Sequence, residues 1–252
     1  MSVPQHVVDL LKPLHAPGTS FSRSGDPLLA RGIDKQGRRW MLSEWHELSS
    51  IPSSKQTRLA ELIARMHLAP APPGQRFGFP VPTCCGATEQ DNTEEQSWAE
   101  FFSKRRIGDL VERIGDMEVT ALGKEVQRRV IPELLGKLEV KPSILHGDLW
   151  SGNVRYSKNR NSPITFDPSS YYGHSEADLG NTRMFGGFSP AFYQRYHELV
   201  LKTEPVEEYE QRLQLNKAYH HLNHMKAYLC SYKSGAVGLL NGLLQWADER
   251  GL

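Results

Sequence analysis

The stretch His146-Gly147-Asp148-Leu149-Trp150-Ser151-Gly152-Asn153 decides how this chain is read, together with Asp167 fourteen residues further on. A carboxylate is followed five residues later by an asparagine and then by a second carboxylate. The residues around them have a recognisable local form. Ile144-Leu145 is a short apolar step into the loop. Asn153-Val154-Arg155-Tyr156 alternates as a strand does, Ser157 to Ser162 is a turn cluster, and Pro163-Ile164-Thr165-Phe166 reads as the returning strand. Such a hairpin brings Asn153 and Asp167 to the same end, where their oxygens can meet one cation.

That layout suits phosphoryl transfer. The reaction needs a carboxylate near the attacking hydroxyl and oxygen ligands that hold Mg²⁺ against the phosphates. Asp148 is the candidate base, and Asn153 and Asp167 are the candidate metal ligands. Taken alone, the spacing also suits loop residues that cap backbone amides. The hairpin, with both carboxylates at one end, favours the metal-binding alternative.

The wider wording resembles the fructosamine-3-kinases, also called ketosamine or ribulosamine kinases. It is carried by His146 to Asn153 and by Phe166-Asp167-Pro168-Ser169-Ser170-Tyr171-Tyr172-Gly173-His174-Ser175-Glu176. Met184-Phe185-Gly186-Gly187-Phe188, Phe77-Gly78-Phe79, Thr83-Cys84-Cys85-Gly86, Trp98 with Phe101-Phe102, and Leu222-Asn223-His224 add to it. The resemblance implies an α+β, mostly helical fold: the C-lobe of a protein-kinase-like enzyme of the aminoglycoside-kinase type. It implies ATP and Mg²⁺ as cofactors. The implied acceptor is the 3-hydroxyl of a ketosamine, free or on a glycated protein lysine, and the phosphorylated adduct then falls off as a repair step. The resemblance also places His174, Glu176 and Asp178 at the edge of the acceptor pocket. Ser175 with Glu176 and Asp178 equally reads as a helix cap and its acidic first turn.

The expected division is a residual nucleotide lobe and hinge at 1–45 and a helical catalytic lobe at 46–252. Arg39 to His46 looks like the last strand of the nucleotide lobe and its hinge, so backbone groups around Ser43, Glu44 and Trp45 are expected to meet adenine. About forty residues precede that strand. A strand rises roughly 3.3 Å per residue, so several strands and a helix do not fit there, and no strand-flanked Gly-x-Gly-x-x-Gly occurs. Val7 to Leu11 reads as a short helix with Asp9 in it and Lys12 at its end. Pro17-Gly18 and Ser24 to Pro27 read as turns. The expected fold thus has a truncated N-terminal β-lobe. This chain is expected to be slow, and a non-catalytic lobe that binds sugar adducts or a partner is the alternative function. A metal-dependent hydrolase using His146, Asp148 and Asp167 is a weaker third reading.

The rest of the chain sets bounds. Thirty basic and 29 acidic residues leave a net charge of +1 over 252 residues, which argues against a nucleic-acid binder. No run reaches the roughly 18 apolar residues of a membrane span. Three cysteines make no disulfide framework, so a reducing, cytoplasmic setting is expected. Cys84 and Cys85 suit a metal or redox pair, but without a second ligand pair they are read as two small semi-buried thiols in a long loop at 70–95. Helices are expected after a Ser53 or Ser54 cap (Leu59, Leu62, Ile63 and Met66 on one face), from Trp98 to about Ile114, and from Val119 to about Leu138. Further helices are expected from Ser189 to about Leu201, from Glu207 to Tyr228 and from Gly235 to Trp246. His67 is read as a packing or capping residue. Asn216, His220, Asn223 and His224 share one stripe. That stripe is either a solvated face or, with Tyr219 and Tyr228 beside it, a wall of the sugar site.

Overall fold

The structure, a computed structural model, describes residues 28–228 and 232–252. The readings at Val7 to Leu11, Lys12, Pro17-Gly18 and Ser24 to Pro27 lie outside these residues. Two strands open the described chain, β1 (Leu28–Ile33) and β2 (Arg39–Ser43), paired antiparallel. Asp34 makes the turn between them. Its Oδ1 accepts the amides of Gln36 and Arg38, and Gly37 takes the left-handed conformation at φ 78°. The next strand, β3 (Leu48–Ser49), joins a different sheet. It pairs with β7 (Val154–Ser157), which pairs in turn with β8 (Ser162–Thr165). The chain leaving β2 is therefore fastened to the expected hairpin itself.

Helix α1 (Gln56–His67) follows. Leu59, Ala60, Ile63, Ala64 and His67 are buried, as a single apolar stripe at steps of three and four requires. They pack with Leu149, Val154, Leu179, Phe192, Tyr196 and Leu213 in one of two cores. Neither Ser53 nor Ser54 caps this helix. Both lie in a 3₁₀ turn (Ser53–Lys55) that runs into α1 without a side-chain cap bond.

The long connection expected at 70–95 is more ordered than its composition implies. It carries a hairpin, β4 (Thr83–Cys85) and β5 (Thr88–Gln90). Phe77 bridges to Glu95, and Gly78 bridges to Tyr172. Arg106 anchors the connection. It is fully buried, donates to Asp91 O and Asn92 Oδ1 at 2.8 Å each, and lies 4.1 Å from the Tyr171 ring centroid and 4.5 Å from that of Phe101.

Arg106 sits in α2, which is built from Trp98–Phe101, a π turn (Phe102–Gly108) and Asp109–Ile114. The next helix, α3, has the same plan: Met117–Glu125, a π turn (Val126–Val130) and Ile131–Leu135. After the β7–β8 hairpin come α4 (Glu176–Thr182), α5 (Pro190–Leu199), α6 (Tyr209–Tyr228) and α7 (Lys233–Asp248). Residues from α2, α3, α6 and α7 form the larger core, with Trp98, Phe101, Ile131, Leu222, Leu240 and Trp246 among them. No described helix is long and apolar enough to cross a membrane.

One buried ion pair ties α4 to α6. Arg212 donates from Nε to Glu176 Oε2 at 2.6 Å and from Nη2 to Oε1 at 3.2 Å. Glu176 Oε1 also accepts Thr203 N, and the Arg212 guanidinium bonds the carbonyls of Thr203 and Pro205. Glu176→Ala leaves a buried, uncompensated guanidinium. The expected loss of unfolding free energy is about 3–5 kcal/mol, measured by urea denaturation. A loss below about 1 kcal/mol would show that the pair is not integral to the fold.

Candidate active site

The His146 to Asn153 segment is held from behind by backbone pairing. Strand β6 (Ser143–Ile144) pairs with β9 (Tyr172–Gly173), Leu145 N donates to Tyr171 O at 3.0 Å, and Ser169 N donates to His146 O at 2.8 Å. The loop thus lies along the chain that follows Asp167. Gly147 makes this close approach possible. Its φ is +81°, and a Cβ there would sit 2.1 Å from Ser169 O, so both the backbone conformation and the space require glycine.

Asp178 completes the hold. Its Oδ2 accepts His146 N and its Oδ1 accepts Gly147 N, each at 2.8 Å. His67 Nε2 donates to Oδ2 at 3.0 Å, and the other ring nitrogen of His67 bonds Tyr196 OH at 2.7 Å. Its two oxygens thus accept three N–H donors of the protein itself. Burial alone would raise the pKa of Asp178, but the bond and charge of His67, with His146 and the Gly147 amide, hold it below its ordinary value.

His146 is buried. Its Nδ1 accepts Asp148 N at 3.3 Å, and its Nε2 donates to Phe166 O at 3.1 Å. Burial lowers its pKa, so the ring is neutral and serves as a strut between the loop and the end of the hairpin. Phe166 N in turn donates to Asn153 O at 3.1 Å. Asp167 comes next, exposed, at φ 56°. Left-handed backbone is uncommon outside glycine, although Asp tolerates it better than most residues.

The carboxylate of Asp148 is fixed at both oxygens. Asn181 Nδ2 donates to Oδ1 at 2.9 Å and Asn153 Nδ2 donates to Oδ2 at 3.1 Å. Asn153 Nδ2 also reaches the Asp148 carbonyl at 3.0 Å. With its nitrogen turned to Asp148, Asn153 has its amide oxygen as the end available to a cation. Burial raises the pKa of Asp148. His146 and the Asn181 bond oppose this, and the charge of Asp167 adds to it. Asp167 acts electrostatically on Asp148, His146 and Cys85 alike.

A fructosamine kinase family model matches residues 26–246. The chain belongs to the fructosamine kinase family. Membership places it among the phosphotransferases. A mouse ketosamine-3-kinase is 37% identical over 237 residues, covering 84% of this chain and 75% of that protein. A chloroplastic protein-ribulosamine 3-kinase of Arabidopsis thaliana is 36% identical over 194 residues, covering 75% of this chain and 57% of the relative. Among solved structures, a candidate fructosamine-3-kinase from Haemophilus somnus superposes with a TM-score of 0.76 at 29% identity, covering 88% of this chain and 73% of that one. An aminoglycoside phosphotransferase superposes at 0.61 with 13% identity, covering 90% and 79%. That likeness shows the protein-kinase-like fold alone. These comparisons lend no support to the non-catalytic alternative.

For a fructosamine kinase of this sequence, several expected site residues turn out to be committed elsewhere. Glu176 is closed off by Arg212 and Thr203, and Asp178 by the loop amides and His67, so neither lies open to a substrate. His174 is also buried. Its Nε2 bonds Thr203 Oγ1 at 2.8 Å, and burial lowers its pKa to about 4. All three are buried and bonded within the fold behind the loop. Ser175 precedes α4 but makes no side-chain cap bond.

The stripe on α6 is not a solvated face. Asn216, His220 and Asn223 are buried and His224 is partly so. Asn216 Nδ2 bonds Arg212 O, and Asn223 Nδ2 bonds Cys85 O. His220 points its chemistry toward the loop: one of its ring nitrogens, Cys85 Sγ and an Asp148 carboxylate oxygen all lie within 4.8 Å of one another. His224 acts electrostatically on Asp148, and its ring packs on Phe185 and Tyr232, with Trp150 against Phe185. The Tyr228 side chain lies outside the described residues. Tyr219 is in the core, bonded to Gln90.

Ser43, Glu44 and Trp45 occupy the connection from β2 to β3. Glu44 pairs with Arg160 in the β7–β8 turn, and Trp45 is exposed. His46, next in sequence, is buried and bonds Ser157 Oγ at 2.8 Å. The connection is therefore tied to the hairpin whose far end carries Asn153 and Asp167. Two groups beside Asp148 escaped sequence reasoning. Asn181 lies beyond the loop on α4, and Cys85 is a buried strand residue with Cys84 exposed beside it. A surface cavity of about 470 Å³ lined by Arg183, Tyr193, His197, Lys202 and Tyr209 shares no residue with this site.

Proposed function

We propose that this chain transfers the γ-phosphoryl group of ATP to the 3-hydroxyl of a ketosamine, a fructosamine or ribulosamine adduct free or on a glycated protein lysine. The observation that carries the reading is the doubly held Asp148 carboxylate in a chain of fructosamine kinase sequence. Asp148 receives the proton of the attacking hydroxyl. Burial strengthens its hold on a proton, and the amides of Asn153 and Asn181 keep both oxygens from rotating away.

Asn153 and Asp167 fit Mg²⁺. Both offer hard oxygen donors at one end of a hairpin, which is what that ion takes. When bound, the ion supplies charge neutralisation on the phosphates of ATP. Backbone groups around Ser43, Glu44 and Trp45 hold adenine, in a division with a hinge segment within 1–45 and a catalytic lobe at 46–252. His220 and His224, with Trp150 and Phe185, stand on the acceptor side. The phosphorylated adduct then breaks down and frees the amine, which makes the activity one of protein repair in a cytoplasmic setting.

The test is phosphate transfer from ATP·Mg²⁺ to a fructosamine and to a ribulosamine, with product identified by position of the phosphate. Transfer to the sugar 3-hydroxyl is expected. ATP-dependent modification of neither adduct would refute the reading.

A further inference from the structure

Cys85, Asp148 and His220 arrive at one place from three separate elements: β4, the catalytic loop and α6. Their ligand atoms, a thiol sulfur, a carboxylate oxygen and an imidazole nitrogen, all lie within 4.8 Å of one another. Cys85 is 2% exposed and His220 is 4% exposed. Mg²⁺ chemistry at Asn153 and Asp167 uses neither sulfur nor imidazole.

His220 carries the second observation. Its Nδ1 is buried and has no hydrogen-bond partner among the described residues. A buried polar atom left without a partner is unfavourable, so a ligand there would be stabilising. The Asp148 carboxylate and the Cys85 thiol lie close to the ring, and the ring is neutral, its pKa lowered to about 3 by burial, with the charges of His224, His221 and Arg106 adding to this and that of Asp178 opposing it. Neutral imidazole is the form that ligates a metal.

We propose that Cys85, Asp148 and His220 form a binding site for a soft divalent cation, Zn²⁺ above all, and that the ion bound there takes the catalytic carboxylate out of use. Sulfur, nitrogen and oxygen donors from three residues with a fourth position open are the donor set of a zinc site. A tetrahedral ion with Zn–S about 2.3 Å and Zn–N about 2.0–2.1 Å wants ligand atoms roughly 3.5 Å apart. The ligand atoms, within 4.8 Å of one another, must draw inward to reach that spacing, so the proposal requires the Cys85 and His220 side chains to shift on binding. The thiol gives its proton to solvent as the metal–sulfur bond forms. Mg²⁺ does not compete, because it prefers oxygen ligands in octahedral array. Binding stands on geometry alone, while the inhibition rests on Asp148 acting as the base.

The 252-residue chain carrying Cys84→Ser and Cys230→Ser keeps Cys85 as its one thiol. Titrated with Co²⁺ without nucleotide or sugar, it is expected to show a sulfur-to-cobalt charge-transfer band saturating at one equivalent, displaced by Zn²⁺ and unmoved by excess Mg²⁺. Cys85→Ser in the same background abolishes the band. His220→Gln weakens Zn²⁺ binding by more than roughly 10-fold, the lower end of what loss of an outer-shell partner costs. No cobalt band, or equal Zn²⁺ affinity in Cys85→Ser, His220→Gln and the parent, overturns the site. Zn²⁺ is also expected to inhibit the parent in competition with the acceptor and not with ATP. A saturated site with full turnover overturns the inhibitory half. A chain that binds Co²⁺ as described but phosphorylates no ketosamine refutes the proposed function and leaves the metal site standing.

Discussion

Asp148→Asn is expected to lower phosphoryl transfer by roughly 10²–10⁴-fold, the usual contribution of a positioned acid or base. The local geometry argues for the upper part of that range. Asp148 accepts from two amide nitrogens, Asn181 on Oδ1 and Asn153 on Oδ2. An asparagine at 148 has one oxygen and one NH₂ to offer, so one of those donors faces another donor whichever way the amide turns. The variant therefore loses the base and also loosens Asn153, a candidate metal ligand. Misplacement by about 1 Å costs on the order of 10²-fold in reactions governed by positioning. Asp148 is only half-buried, so water can satisfy the stray donor and the fold should survive. Steady-state kinetics against acceptor and ATP, paired with thermal unfolding, reads both effects. Activity within about tenfold of the parent would remove Asp148 from the role of base.

What the sequence exposed and what it hid divide along the range of the interactions. The β7–β8 hairpin was legible because strand, turn and strand are contiguous, and the alternation at Val154 to Tyr156 belongs to one local element. Most helices were legible for the same reason. Their bounds were less so. Ser53 looks like a cap but falls inside a 3₁₀ turn, and the π turns of α2 and α3 leave no mark on the period of a short helix. The β4–β5 hairpin was missed because three-residue strands carry too little alternation to register. Acidic residues at the start of α4 invite the reading that they face solvent or a ligand. Periodicity tells which residues share a face, but what that face meets is decided by elements distant in the chain. Arg212 lies 36 residues from Glu176, and His67 lies 111 residues from Asp178. Asn181 and Cys85 were silent for the same reason: nothing near either in sequence announces the carboxylate of Asp148.

Asp178→Asn is expected to cost more stability than Asp148→Asn and to lose transfer as well, although Asp178 touches no reacting group. Its two oxygens accept three N–H donors, from His146, Gly147 and His67, in a buried setting. An amide in its place points NH₂ at Gly147 N on one side or at His146 N and His67 on the other, and no water replaces the lost acceptor. Removing one partner of a buried charged pair costs about 3–5 kcal/mol. The sign with pH follows from the depressed pKa. Because the folded carboxyl titrates below its ordinary value of 3.8, the stability it contributes is complete above the unfolded value. That contribution is lost as pH falls through the lower folded value. The gap in unfolding free energy between parent and Asp178→Asn is therefore expected to be flat above about pH 5 and to shrink in acid. Urea denaturation across that range, alongside transfer assays of both variants, separates the two aspartates. Loss of transfer with stability intact marks Asp148 as the reacting group. Loss of both, with the stability deficit fading in acid, marks Asp178 as the residue that positions the loop. A deficit unchanged by acid would mean that the carboxylate's charge is not what holds His146 and Gly147 in place.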